Sequence, residues 1–417
     1  MATRSLQPPL RTESERSALF DRLSRAVDDI PAFNNHMHFG REGSTLAWYF
    51  PNEVVNRSNT RSRGMTAALT EILDLPGDTI TEDIADEVPK RFDAFLAEHD
   101  LTEQYHIFAD LSNTSHIAFI GRSYQNELST LPSDRLKIVI HIDQFLSPLD
   151  NSRKKATHPW NKIYMDLTDT DMRVAEAKFG PKPAEFDGYL DFIRKAIEAF
   201  RNTPYIIGGK WGISYHRTLD FDRVTKSEAA RTYESQQTEP AAYKRLQDYL
   251  AFHVLATCAE LEFPVQVHTG LGAATNLILA ESNPALMDGL LSRPELEGAR
   301  VCCLHGGYPF CHQLSVMRKR DNVWLDFSWM VLLLRPGTLA GYLKEWIEFG
   351  GPDKLIFGVD GAGLAQIVGT WTARKALALA LTELVAEDTM DEDEALDAAR
   401  KILRDNALDF YSPTLET

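Results

Sequence analysis

Eight short apolar runs, each close to a Gly, Asn, Asp or His and separated by helical patterns, constrain this 417-residue chain more than any other feature. They are AFNNHMH (32–38), HIAFIG (116–121), KIVIHID (137–143), YIIGGKWGI (205–213), PVQVHTG (264–270), RVCCLHGG (300–307), NVWLDFS (322–328) and KLIFGVDG (354–361). Most are continuously apolar rather than alternating, which is how strands buried on both faces read. Helical periodicity lies between them, as over 187–202, 241–261, 338–349 and 371–386. Ahead of the first run, Leu19, Phe20, Leu23 and Val27 fall at near-helical spacing in a segment (14–29) that must end before Pro31. Eight strand–helix alternations predict one α/β domain over 1–417, a (β/α)8 barrel of the TIM type.

The longest interruption, 41–114, carries helical patterns around 65–74 and 82–98 but no convincing strand. It reads as a helical insertion after the first strand, a lid over the barrel mouth, where connections tolerate growth. In the acidic stretch 387–397, Thr389 followed by Glu392 predicts a capping box opening a helix that runs through Arg404.

Charge and composition narrow the function. The chain holds 44 Lys and Arg against 60 Asp and Glu, a formal charge of −16 that repels phosphate backbones and anionic lipid surfaces. Its longest bulky apolar run, Trp329–Leu334, is far too short to span a membrane. The N-terminus has no apolar signal core, and Cys258, Cys302, Cys303 and Cys311 form no disulfide framework. A zinc knot from Cys302, Cys303, Cys311 and His312 conflicts with adjacent strand residues pointing to opposite faces, so these thiols are expected to pack in the core. The expectation is a cytoplasmic protein, a homo-oligomer, that takes a small-molecule substrate and binds neither nucleic acid nor membrane.

Five runs end with a metal-capable or titratable side chain: His36 and His38, Lys210, His268, His305 and Asp360. Strand positions i and i+2 face the same way, so His36 and His38 can chelate one cation. A lone H-x-H is more often a hydrogen-bonded core pair. Recurrence of His and Asp at the C-terminal ends of other strands, where barrel enzymes carry their chemistry, favours a metal site. A divalent ion such as zinc lowers the pKa of water toward about 7, and an adjacent carboxylate can then move its proton.

In this order, H-x-H then Lys, His, His and Asp on strands one, four, five, six and eight, the chain resembles the amidohydrolase superfamily. NNHMHFG (34–40), GGKWGISYHRTLD (208–220), HGGYPF (305–310), VWLDFSW (323–329), FGVDG (357–361) and ILRDNALDFY (402–411) are similar to its amidohydrolase-related branch. That branch includes aminocarboxymuconate semialdehyde decarboxylase and the barrel fused to glutamine synthetase-like proteins. The resemblance covers nearly the whole chain outside 41–114. It implies that His36, His38 and His268 bind a divalent metal, Zn2+ in this reading, with Asp360 as ligand and proton shuttle. His305 would be a second-metal ligand or contact the substrate or attacking water. Lys210 stands where two-metal members carry a carbamylated lysine, and a salt-bridged base is the alternative, so one ion or two stays open. The implied activity is metal-dependent hydrolysis of an amide or related C–N bond. A decarboxylase of the same family is the alternative, and a non-catalytic binding barrel the third.

Substrate contacts are expected from His216 and Arg217, the latter pairing with a carboxylate such as that of a γ-glutamyl or acyl amide unless it forms an ordinary salt bridge. Trp211, Tyr308 and Trp329 are expected beside the pocket, with aromatic packing as the alternative role, and His141 and Asp143 behind the ligands. Gly270–Ala274 lacks the third glycine of a dinucleotide turn, so no nucleotide cofactor is expected.

Overall fold

The computed structural model describes residues 12–39, 60–75, 80, 87–125 and 127–415. All eight expected strands are present: β1 Ala32–His38, β2 Thr114–Gly121, β3 Leu136–His141, β4 Ile206–Trp211, β5 Val265–Val267, β6 Val301–Cys303, β7 Val323–Asp326 and β8 Leu355–Ile356. They form one sheet in sequential order. The first strand also meets the last: Asn35 N donates to Phe357 O (3.0 Å), Asp360 N to His36 O (2.7 Å) and His38 N to Gly361 O (2.8 Å). With helices flanking the strands, this is the (β/α)8 barrel read from the sequence.

The strands β5, β6 and β8 are shorter than their apolar runs, only three, three and two residues. The runs continue into turns, and the turns carry His268, His305 and Asp360. Longer helices are α1 Glu13–Asp28, α2 Thr60–Ile72, α3 Val88–Glu98, α4 Leu101–Leu111, α5 Pro159–Phe179, α6 Phe186–Arg201, α7 Lys226–Glu234, α8 Pro240–Glu260, α9 Cys311–Met317, α10 Pro336–Gly350, α11 Ala365–Ala386, α12 Glu392–Arg400 and α13 Asn406–Leu415.

The chain divides into two compact units, Met1–Ala118 with Phe327–Ala407, and Phe119–Asp326 with Leu408–Thr417. In the first, α11 is apolar almost all round and is enclosed by α1, α2, α4 and α10. Arg374 on α11 donates to the carbonyls of Val27, Ile30, Ser112 and Asn113, stapling α1 and the end of α4 to it. In the second, β3 to β7 pair in parallel, His141 opposite Lys210 and Lys210 opposite Gln266. Buried Gln266 donates to the Tyr411 hydroxyl (2.7 Å), which anchors the C-terminal helix under the strands.

Two local expectations shift. The insertion contains three described helices, α2 to α4. Of the pattern at 82–98, residues 82–86 lie outside the described residues; α3 is described from Val88, where Pro89 suits a first turn, and α4, opened by an Asp100–Glu103 capping box, was not expected. Residues 41–59 of the proposed lid lie outside the described residues. The capping box at Thr389 is not formed: Thr389 N bonds to Leu384 O (2.9 Å) at the end of α11. Asp391, whose backbone is extended as an N-cap requires, makes the box with Glu394 instead.

Candidate functional site

In the first unit, strand alternation puts His36 and His38 on one side of β1, His36 enclosed and His38 half exposed. Their Nε2 atoms lie 3.1 and 2.9 Å from the same oxygen, Oδ1 of Asp360. Both are hydrogen-bond distances, shorter than the roughly 3.3–3.6 Å edges of a tetrahedral shell built on metal–ligand bonds of 2.0–2.2 Å. Two imidazoles and a carboxylate are a donor set that divalent transition metals take.

Backbone bonds fix the cluster. Asp360 adopts a left-handed conformation (φ +57°), rare without glycine, and its N–H is held by His36 O. Below it Asn34 Oδ1 accepts from both His36 N (3.1 Å) and Val359 N (3.0 Å). The Asn34 amide donates to Gln366 Oε1 (2.6 Å), and Gln366 Nε2 donates to the hydroxyls of Ser112 (3.2 Å), Thr114 (3.0 Å) and Thr370 (3.2 Å). From the insertion, the Tyr105 hydroxyl donates to His38 O (3.1 Å) and accepts from Gly363 N (3.0 Å). Asn34 opens the NNHMHFG phrase but carried no expected role, and no motif pointed to Gln366 or Tyr105. Trp329, half buried, is also left-handed (φ +61°), its N–H on Val359 O.

In the second unit, His268 directly follows β5. Its Nε2 faces the Leu271 carbonyl (2.8 Å), which can only accept, so Nε2 carries the proton and Nδ1 presents a lone pair. That Nδ1 lies 3.0 Å from His305 Nε2. His305, fully buried, begins a left-handed turn with Gly306 and Gly307 (φ +64°, +60°, +59°), and its N–H reaches Asp326 Oδ1 (3.3 Å). Gly270 (φ +72°) makes the approach of the β5 and β6 turns possible: a Cβ there would sit 2.4 Å from Tyr308 O and 2.5 Å from Gly307 C. Tyr215 lies against the His268 ring (4.4 Å between centroids) and stacks on Tyr164 of α5 (4.6 Å). Tyr308 is half buried, its carbonyl accepting from Leu271 N (2.7 Å).

Lys210 is buried on β4. Its strand neighbour His141 binds Asp143 through Nδ1 (2.5 Å), and Asp143 Oδ1 accepts from Gly212 N (2.6 Å). Burial, with the positive charges of Arg122 and Lys210, pushes His141 down to about 3. Burial works to raise Asp143, but His141 and Arg122 outweigh it and hold the carboxyl at about 2. The pair is therefore a neutral imidazole donating to a carboxylate at neutral pH.

Arg217 is buried, not poised at a surface. Its guanidinium donates to Asp248 Oδ1 (2.7 Å) and the carbonyls of Asp220 (2.9 Å) and Thr218 (2.8 Å), and lies over Phe221. Most of its bonding capacity ties the loop to α8, the salt-bridge alternative, with Nη1 left over. His216 is buried and pushed down to about 4 by that burial, hence neutral at pH 7. Trp211 is fully enclosed, its ring packing toward Phe221.

Residues 230–412 match the family model described as Amidohydrolase. No curated protein matches the chain significantly. Among solved structures, a uronate isomerase from Thermotoga maritima is similar in fold (TM-score 0.70, 14% identity, covering 94% of this chain and 97% of that one). So are a glucuronate isomerase from Caulobacter crescentus (0.70, 13%, 98% and 97%) and a proposed metal-dependent hydrolase from Lactobacillus casei (0.62, 16%, 94% and 97%). Among the described residues no helix is long and apolar enough to cross a membrane. The family match, carried on a complete eight-stranded barrel, supports a member of the amidohydrolase superfamily.

Proposed function

We propose that this chain is a metal-dependent hydrolase cleaving an amide or related C–N bond of a small polar, carboxylate-bearing substrate. The observation that carries the reading is the convergence of His36 and His38 Nε2 on one oxygen of Asp360. His36, His38 and Asp360 would hold the ion, with His268 offering Nδ1 as the further donor. When bound, a divalent ion, zinc in this reading, acts as a Lewis acid toward the carbonyl and acidifies water.

The remaining steps belong to side chains. The Asp360 carboxylate accepts a proton from the attacking water as its oxygen bonds to the carbonyl carbon. The same carboxyl returns that proton to the nitrogen as the C–N bond breaks, so the amine leaves neutral and Asp360 ends ionised. If an ion takes the His268 lone pair, His305 Nε2, which otherwise faces it at 3.0 Å, is released to donate to the carbonyl oxygen or the attacking water, and Lys210 adds positive charge as the oxyanion develops. In this reading residues 1–417 act as one catalytic domain with 41–114 as its lid.

The test is product analysis after metal analysis of the purified protein. Incubation with a panel of carboxylate-bearing amides should release amine. Carbon dioxide released from carboxylated dienes, with no amine from any amide, would replace the hydrolase reading with a decarboxylase.

A further inference from the structure

The turn after β4 holds an unusual concentration of unused hydrogen-bonding capacity. Gln144 Nε2 and Oε1, Trp211 Nε1, Ser214 Oγ, His216 Nε2 and Arg217 Nη1 are all enclosed, and none has a hydrogen-bond partner among the described residues. Four of the five side chains lie between residues 211 and 217, where His216 N and Arg217 N both bond to Ile213 O (3.0 and 2.9 Å) and coil the chain tightly. Gln144 follows Asp143, whose carboxylate is clamped to Gly212 N in the same turn. Leaving so many polar atoms unsatisfied would cost on the scale of a domain's entire net stability, so a partner is required.

We propose that Gln144, Trp211, Ser214, His216 and Arg217 form a subsite for one carboxylate group of the substrate. This rests on the carboxylate-bearing substrate proposed above and says which residues hold it. Trp211 Nε1, Arg217 Nη1 and Gln144 Nε2 can only donate, Ser214 and His216 can donate, and only Gln144 Oε1 is restricted to accepting. An acceptor-only group matches that excess of donors. Charges of both signs act on His216: the Asp143 carboxylate on one side and the cations Lys154, Arg217 and Arg122 on the other, Arg217 being paired with Asp248 and Arg122 with Asp171. The strand register places the turn at the same end of β4 as Lys210, the C-terminal end that barrel enzymes use.

The test follows the Trp211 indole N–H resonance of the full-length, metal-loaded protein, identified by its loss in Trp211→Phe. Propionate should shift it saturably, and its uncharged analogue propionamide should not. Gln144→Leu and Ser214→Ala should each weaken propionate binding about tenfold or more, the scale of a hydrogen bond to a charged group. Gln144→Leu should also melt no lower than wild type, because it removes buried groups that no residue satisfies; a Gln144 serving the fold would lower it. No saturable shift, an equal response to propionamide, or wild-type binding in both variants would overturn the subsite and leave enclosed water as the partner. Repeating the titration after chelation separates this from the metal reading: unchanged binding keeps the subsite whether or not metal is found.

Discussion

Gln366 and Gln144 are both fully enclosed, yet the amide of Gln366 makes four hydrogen bonds and that of Gln144 makes none among the described residues. The first spends its capacity inside the fold, linking α11 to β1 and to the hydroxyls of Ser112 and Thr114. The second keeps its capacity. The difference separates two ways of burying polarity: a saturated network that fixes where Asp360 and the histidines sit, and an unsaturated one whose geometry makes sense only with a guest.

The largest expected effect tests whether the saturated network holds the site without the ligands themselves. His36→Ala with His38→Ala should lose all bound metal, read by elemental analysis, while circular dichroism reports an intact barrel. Metal retained at the wild-type level would break the assignment. Next, Gln366→Leu strands the Asn34 amide and should cost about 2–4 kcal/mol in urea unfolding. A loss no larger than that of Gln144→Leu would erase the contrast between the two glutamines.

Asp360→Asn keeps the size of a residue pinned by backbone bonds but removes its basic oxygen. Turnover should fall about 10²-fold or more with metal content checked in parallel, and near-wild-type turnover in a metal-loaded variant would rule out proton transfer by Asp360.

The smallest effect is a pH dependence located in the unsaturated turn. His216 is held near 4 by burial, against about 6.5 for an unfolded histidine, so the native state binds fewer protons between those values. Stability is therefore complete above pH 6.5 and falls as pH drops toward 4, by about 2 kcal/mol at pH 5. His216→Gln should flatten that part of the slope in urea melts at pH 7 and 5, and an unchanged slope would show that His216 does not titrate in this window.

How much of this could be read from the sequence depended on the range of the interaction. The eight strands follow from local apolar runs, and His36 with His38 from a period of two, so both were legible. His305 and Asp360 were recognised by residue type, but their strands end two and four residues earlier, and left-handed turns aim them; nothing in HGG or VDG specifies that their side chains reach a histidine neighbour. The partner of Arg217 was out of reach for the same reason: Asp248 is 31 residues away on α8. Asn34 and Gln366, 332 residues apart, and Gln144, which belongs to no motif, are visible only once the chain is folded.

The glycine at 270 bears on how this barrel could be re-engineered. Because its missing side chain lets the backbone after β5 rest directly on Gly307 and Tyr308 after β6, those two connections behave as a single cassette. A grafted β5 connection with any residue other than glycine at this position would press its Cβ into the main chain of Gly307 and Tyr308, which no rotamer can relieve. Exchanging both together, with the glycine retained, is the route by which new substrate ranges could be installed on this scaffold.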